Sequence, residues 1–202
     1  MPDAGEIAQW IDDLSASDDL TRGVSALKLY LAGGTLWLGV AGPWIADPEF
    51  RALQHPFSVD EAGLPSSEKT VYVVGIAVRP ETFARIRAAN GWPRLADVPP
   101  DQDALEFELH LAGIHYFDVL TTREPGGSGA IARYLEKFGE GIQQIEMLVT
   151  DVDRATEILR ARFSLQPVYP TTRAGADGTR VNFFLVPAPD GKKVLIELVE
   201  AA

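Results

Sequence analysis

Acidic and amide side chains stand at alternating positions in three otherwise apolar runs of this sequence. "FGEGIQQIEMLV" (residues 138–149) carries Gln143, Gln144 and Glu146. "HYFDVL" (115–120) carries Asp118, and "KVLIELVE" (193–200) carries Glu197. In strands, side chains alternate between the two faces. Gln144 then shares a face with Ile142 and Glu146, Glu197 with Leu195 and Val199, and Asp118 with Tyr116 and Leu120. Gln143 takes the face opposite Gln144, and His115 the face opposite Asp118. Carboxylates in such a setting hold a hard cation through oxygen or move a proton. Glu197 is flanked on both sides by apolar residues, where an unpaired charge is costly to bury, so it is not expected to be idle.

Composition narrows the partners. The chain has 202 residues and a formal net charge of -11. Such a surface repels nucleic acid and anionic membranes, so neither is an expected partner. There is no cysteine, which excludes disulfides, a zinc-thiolate site and a cysteine nucleophile. The start is acidic and polar, and no apolar segment is expected to be long enough to cross a bilayer. The expectation is a soluble, cytoplasmic protein.

The elements that must position these residues fall into two stretches. In residues 1–68, Ile7, Trp10, Ile11 and Leu14 have helical spacing behind Asp3, a candidate cap. "LKLYLAGGTLWLGV" alternates at Leu27, Leu29 and Leu31 and reads as a hairpin turning at Gly33-Gly34. "DPEFRALQ" reads as a short helix after Asp47, and "HPFSVDEAGLPSSEK" as a linker. From Thr70 the pattern is regular. "TVYVVGIAV" is a strand and "RPETFARIRAANG" a helix with Pro80 in its first turn and Gly91 past its end. "ALEFELHLAGIHYFDVLTT" is two strands joined near Ala112-Gly113. "AIARYLEKFG" is a helix, "IQQIEMLVTDV" a strand and "DRATEILRARF" a helix. "TRVNFFLVPAP" and "KKVLIELVE" are strands joined at Asp190-Gly191. Strand-helix-strand-strand therefore occurs twice, with a further strand of each copy expected near Arg94–Asp97 and Gln166–Tyr169. The repeat predicts paired βαβββ modules, at 70–125 and 139–202, in a domain spanning 69–202. Residues 1–68 form a helix-hairpin extension, a candidate cap or dimer element.

This pattern resembles the vicinal oxygen chelate superfamily, which includes the glyoxalases and bleomycin-resistance proteins, and within it the methylmalonyl-CoA epimerases. Three segments carry the resemblance: "IARYLEKFGEGIQQI", "GTRVNFFLVPAPDGKKVLIELVE" and "VVGIAVRPETFARIRAANGW". It implies an α+β fold whose modules form a concave sheet cup. The epimerases bind a divalent metal there through the first and last strand of each module. Carried onto this chain, those positions are Val73, Asp118, Gln144 and Glu197. Val73 has no donor atom, and Gln144 stands where a histidine is usual. An acid that shuttles a proton in the epimerases falls on Asp97 or Asp101.

With Glu146 on the face of Gln144, the implied cup holds three carboxylates, an amide and no imidazole, beside Tyr116, Phe183 and Val73. Two readings stand side by side. Mg²⁺, Mn²⁺ or Ca²⁺, rather than Zn²⁺ or Co²⁺, would suit Asp118, Gln144 and Glu197. Alternatively no metal binds, and crowding among the carboxylates favours protonation of one, leaving an acid and a base. Glu197, Glu146 and Asp118 are the candidate catalytic residues. Gln144, Tyr116, Phe183 and Val73 are the candidate substrate contacts. Blander roles are also open: Glu146 could pair with Arg180, and His110, His115 and Trp92 could be ordinary strand or core residues. "REPGGSG" lacks the dinucleotide-loop pattern and reads as a mobile loop at the mouth of the cup. The expected function is an epimerase, isomerase or lyase acting on a small carbonyl compound or thioester through an enolate. The alternative is a non-catalytic small-molecule binding protein that sequesters its ligand. A homodimer is expected in either case.

Overall fold

A computed structural model describes residues 2–54, 72–111, 115–187 and 193–201. The linker expected at 55–69, the extension boundary at 68/69, the two hairpin turns near 112–113 and 190–191, and the side-chain orientation of His115 lie outside the described residues and side chains. Six helices and seven strands are described: α1 (Ala4–Asp13), α2 (Asp19–Ala46), α3 (Pro48–Leu53), β1 (Val73–Ala77), α4 (Pro80–Ala89), β2 (Leu105–Leu111), β3 (His115–Thr121), α5 (Ala130–Phe138), β4 (Gly141–Leu148), α6 (Val152–Phe163), β5 (Arg173–Ala174), β6 (Arg180–Pro187) and β7 (Lys193–Glu200). The fold is α+β. The chain divides into two compact units, Met1–Gly33 with Val74–Gln143 and Gly34–Val73 with Gln144–Ala202.

In the first unit the strand order is β2-β3-β1, with β2 antiparallel and β1 parallel to β3. Val74, Ile76, Phe107, Phe117 and Val119 are fully buried. α4 begins at Pro80, whose missing N–H costs nothing in a first turn, and stops at Gly91 in the left-handed region (φ 78°). Its Phe83 packs edge-on against Phe107, centroids 4.8 Å apart. α1 opens on a capping box: the Asp3 carboxylate accepts from Glu6 N–H and Glu6 returns the bond to Asp3 N–H.

In the second unit the order is β4-β7-β6-β5, with β4 parallel to β7 and the remaining pairs antiparallel. α6 is capped by Asp151 and closed by Ser164 in the left-handed region. α3 is capped by Asp47, which accepts from Glu49 and Phe50 N–H at 3.0 Å each, with Pro48 in its first turn. Arg162 of α6 binds Asp47 at 2.6 Å and also Glu49, and Arg154 binds Glu49. These hydrogen bonds hold the Asp47 and Glu49 carboxyls below their usual pKa, through Arg162 at Asp47 and Arg154 at Glu49.

The hairpin expected at 27–40 is instead part of α2, a helix of 28 residues. Its buried positions are Ser25, Ala26, Leu29, Ala32, Gly33, Gly34, Trp37, Val40, Ala41 and Trp44, recurring every three to four residues. The alternating leucines misled because Leu27 and Leu31 are exposed residues on the other side of the same helix. Gly34 is not a turn residue. A Cβ there would lie 2.4 Å from the Tyr72 hydroxyl, and Tyr72 is stacked on Trp37 with centroids 5.3 Å apart. The glycine admits a close approach rather than a bend. α2 also corrects the expectation on span length. By length and composition it is long and apolar enough to cross a membrane, with half of its most apolar stretch buried.

The further strand expected in each module is reduced to fragments. Among the described residues no strand forms at 94–97; Ala96 N–H donates to Glu106 O at 2.9 Å and stops there. In the second module Pro167 bridges Phe184, Val168 N–H donates to Phe183 O at 2.7 Å, and the two-residue β5 follows. Proline explains the shortening, since Pro93, Pro99, Pro100, Pro167 and Pro170 donate nothing to a ladder.

Candidate functional site

The start of β4 is fixed by short contacts. Gly139 closes α5 with φ 73°, and the Glu140 carboxylate accepts from Arg79 N–H at 2.8 Å, at the start of α4. The Tyr134 hydroxyl donates to Ile142 O at 2.8 Å, and burial pushes its pKa up to about 12. A side chain at Gly141 would meet that hydroxyl at 3.0 Å. "GEG" is therefore a structural clamp at the start of the strand that carries Gln144.

From there β4 runs beside β7 with Gln144 opposite Leu195 and Glu146 opposite Glu197. On β6, Phe183 is opposite Glu197. Directly paired residues share a face, so Gln144, Glu146, Glu197 and Phe183 emerge together. Tyr169 packs edge-on against Phe183, centroids 6.0 Å apart, and the Arg173 guanidinium lies 4.5 Å from the Tyr169 ring centre. Gln144 and Glu197 are buried, while Glu146 and Phe183 are half-buried.

One group ties the polar residues. Gln144 Nε2 donates to Glu197 Oε2 at 2.5 Å and to Glu146 Oε1 at 3.0 Å. Carboxylates on neighbouring strands start about 5 Å apart, and at an effective dielectric near 20 their repulsion is about 3 kcal/mol. Two hydrogen bonds to charged acceptors are each worth about 1.5–3 kcal/mol. One amide is therefore of the right size to hold both in place. The partner suggested for Glu146, Arg180, binds Asp153 and Glu200 instead. Arg180 is directly opposite Glu200, an odd number of residues from Glu197 along β7 and so on the other face of the sheet.

Asp118 and Tyr116 belong to the first unit. Asp118 is buried in β3, opposite Gly75 on one side and Glu108 on the other. Tyr116 is opposite His110, with their rings 4.4 Å apart. His110 Nε2 lies 3.1 Å from Glu108 Oε2. So the face that presents Asp118 also presents Glu108 and an imidazole. His110 read from sequence as an ordinary strand residue. Counting back across the 112–114 connection would have found it, since that connection pairs residue 110 with 116 and 108 with 118.

The other candidates are placed as follows. Val73 is half-buried at the start of β1. Asp97 and Asp101 are exposed. Trp92 is not core: it is 62% exposed, with the Arg87 guanidinium over its ring. The loop after β3 is anchored where it leaves the strand. Asp103 accepts from Thr122 Oγ1 at 2.6 Å and Arg123 N–H at 3.0 Å, and Arg123 Nε donates to Ala104 O.

These residues as arranged do not fit a divalent metal. A cation needs lone pairs that converge on one point. Between Glu146 and Glu197 Gln144 presents N–H, which donates and cannot ligate. Val73 has no donor atom. Among the described residues, no three His, Asp or Glu side chains gather into a set that could hold a metal.

No protein-family model matches the chain, and a comparison with curated proteins finds no match. Among solved structures, methylmalonyl-CoA epimerase from Mycobacterium tuberculosis is similar at 33% identity over 64% of this chain and 86% of its own, with TM-score 0.52. A methylmalonyl-CoA epimerase in complex with methylmalonyl-CoA and NH4+ is similar at 27% identity over 66% and 94%, TM-score 0.52. A Streptomyces coelicolor methylmalonyl-CoA epimerase variant in complex with 2-nitronate-propionyl-CoA is similar at 25% identity over 66% and 97%, TM-score 0.51.

Proposed function

The chain belongs to the vicinal oxygen chelate (glyoxalase-like) superfamily, and we propose that it is an epimerase-like enzyme. Its reaction moves the proton α to a carbonyl, in a thioester or a small carbonyl compound, through an enolate-type intermediate. The observation that carries this reading is the paired hydrogen bond from Gln144 to Glu146 and Glu197. Two carboxylates held side by side supply a proton acceptor and, once one of them has taken a proton from solvent, a proton donor within one site. Glu197 takes the α-proton: the C–H bond breaks, an O–H bond forms on the carboxylate, and the electron pair moves onto the carbonyl oxygen. Glu146, having taken a proton from solvent, returns it to the opposite face of that carbon: its O–H bond breaks, the enolate electron pair forms the new C–H bond, and the product is the epimer. Phe183 and Tyr169 form an apolar wall that excludes water from the carbanionic centre.

A thioester is the first class to test, because the similar structures include complexes with methylmalonyl-CoA and 2-nitronate-propionyl-CoA. The experiment is incubation with 2-substituted acyl thioesters and small 2-substituted carbonyl compounds in D2O, followed by NMR. The wild type incorporates deuterium at the α-carbon of one of these, and Glu197→Gln does not. Equal incorporation by both proteins would remove Glu197 from the reaction. Val73, at a ligand position of the epimerases yet without a donor atom, favours a second reading, sequestration. Tight binding of a ligand with no exchange would establish it.

A further inference from the structure

We propose that Gln144 takes the place of the cation in this site, so that the amide N–H2 group, and not a divalent metal, holds Glu146 and Glu197 together. The inference rests on the reading that this face of β4 and β7 is the functional site, and it concerns how the site is organised.

Glu146 and Glu197 are strand partners whose carboxylates converge on one nitrogen. Convergent carboxylates need a positive or hydrogen-bearing group between them. Gln144 Nε2 reaches one oxygen of each, at 3.0 Å and 2.5 Å. The side chain is 6% exposed, and so is held in its site. To ligate a metal, its amide would have to turn over. That would break both hydrogen bonds and bring the carbonyl oxygen against two carboxylates. Gln144 is thus a positioning residue, and its nitrogen fills the space that a cation would take. The same geometry says what would restore a metal site. An imidazole at position 144 would offer a lone pair where the amide offers N–H, completing a nitrogen-and-two-carboxylate set of the kind that holds Zn²⁺ or Co²⁺.

The test is Co²⁺ titration of the full chain, read by calorimetry and by the visible absorption of the ion. Four proteins are compared: wild type, Gln144→His, Glu197→Gln, and the double variant Gln144→His/Glu197→Gln. The expected result is that Gln144→His binds one Co²⁺ per chain at least tenfold more tightly than wild type, with a tetrahedral-type absorption band. The double variant loses that gain. Two results would overturn the inference. One is wild type binding one Co²⁺ per chain with an affinity that Glu197→Gln abolishes. The other is folded Gln144→His, with a native circular dichroism spectrum, gaining nothing. The wild type and Glu197→Gln comparison decides the matter even if Gln144→His fails to fold. None of these readouts depends on turnover, so a failure of the enzyme reading would show separately, as no α-carbon exchange with any substrate.

Discussion

Glu146 and Glu197 are direct partners across the parallel β4–β7 pair, and both accept hydrogen bonds from the same nitrogen, Gln144 Nε2. Residues that work as one unit give non-additive losses. Glu197→Gln is expected to lower α-carbon exchange about 100-fold or more, the usual worth of a positioned general base. Glu146→Gln should cost at least about tenfold by the same comparison. The double variant should be no slower than Glu197→Gln alone. Exchange rates of the three proteins check this, and a multiplicative loss would mean that the two carboxylates act independently.

The clamp under β4 predicts a stability effect. Tyr134→Phe removes the O–H donor to Ile142 O while keeping the ring. The variant should lose about 1 kcal/mol, the net worth of one hydrogen bond, in urea unfolding. In wild type the phenol, pushed up to about 12 by burial, should stay protonated through pH 11 in an absorbance titration.

Two glycines in α2 should respond in opposite directions. At Gly23 an added Cβ meets nothing within 4 Å, so Gly23→Ala should stabilise the chain by about 0.5–1 kcal/mol. At Gly34 the added methyl runs into Tyr72, which cannot move without leaving its stack on Trp37. Gly34→Ala should cost about 1–3 kcal/mol, as overpacking does. Thermal unfolding of both variants measures the two opposite shifts.

Acid should loosen α3 from α6. The Asp47 and Glu49 carboxyls lie below their usual values of 3.8 and 4.5 because Arg162 and Arg154 bind the charged forms. A carboxyl whose folded pKa is depressed adds stability that is complete above its unfolded pKa and lost as pH falls through the folded one. This contribution should therefore hold above about pH 4.5 and fade below it. Arg162→Ala should flatten the acid limb of a stability-versus-pH curve, and an unchanged limb would discount the pairing. Both groups are half-buried rather than enclosed, so the effect should weaken in high salt.

Much of this was legible from side-chain pattern. Helices behind Asp3, Asp47 and Pro80 carried local start signals, and local signals survive folding. The alternation in "IQQIEML" and "VLIELVE" put Gln144, Glu146 and Glu197 on matching faces, and the β4–β7 register then brought them into contact. α2 was misread because leucines on the exposed side of a helix can alternate by chance, and because a glycine pair marks close approach as readily as a turn. The further strands were over-read because prolines broke their ladders. The amide's role was not legible at all. Whether Gln144 offers its oxygen or its nitrogen depends on what stands two residues on and 53 positions later in the chain, and only the folded register decides it.

The central claim is that a carboxylate pair organised by an amide, with no divalent cation at that position, moves a proton next to a carbonyl. The most direct measurement is α-carbon deuterium incorporation into the thioester or carbonyl substrate, by protein dialysed against a strong chelator and assayed with chelator present. The account predicts an undiminished rate in wild type and loss in Glu197→Gln. A rate that vanishes on chelation and returns with added Mn²⁺ or Co²⁺ would contradict it.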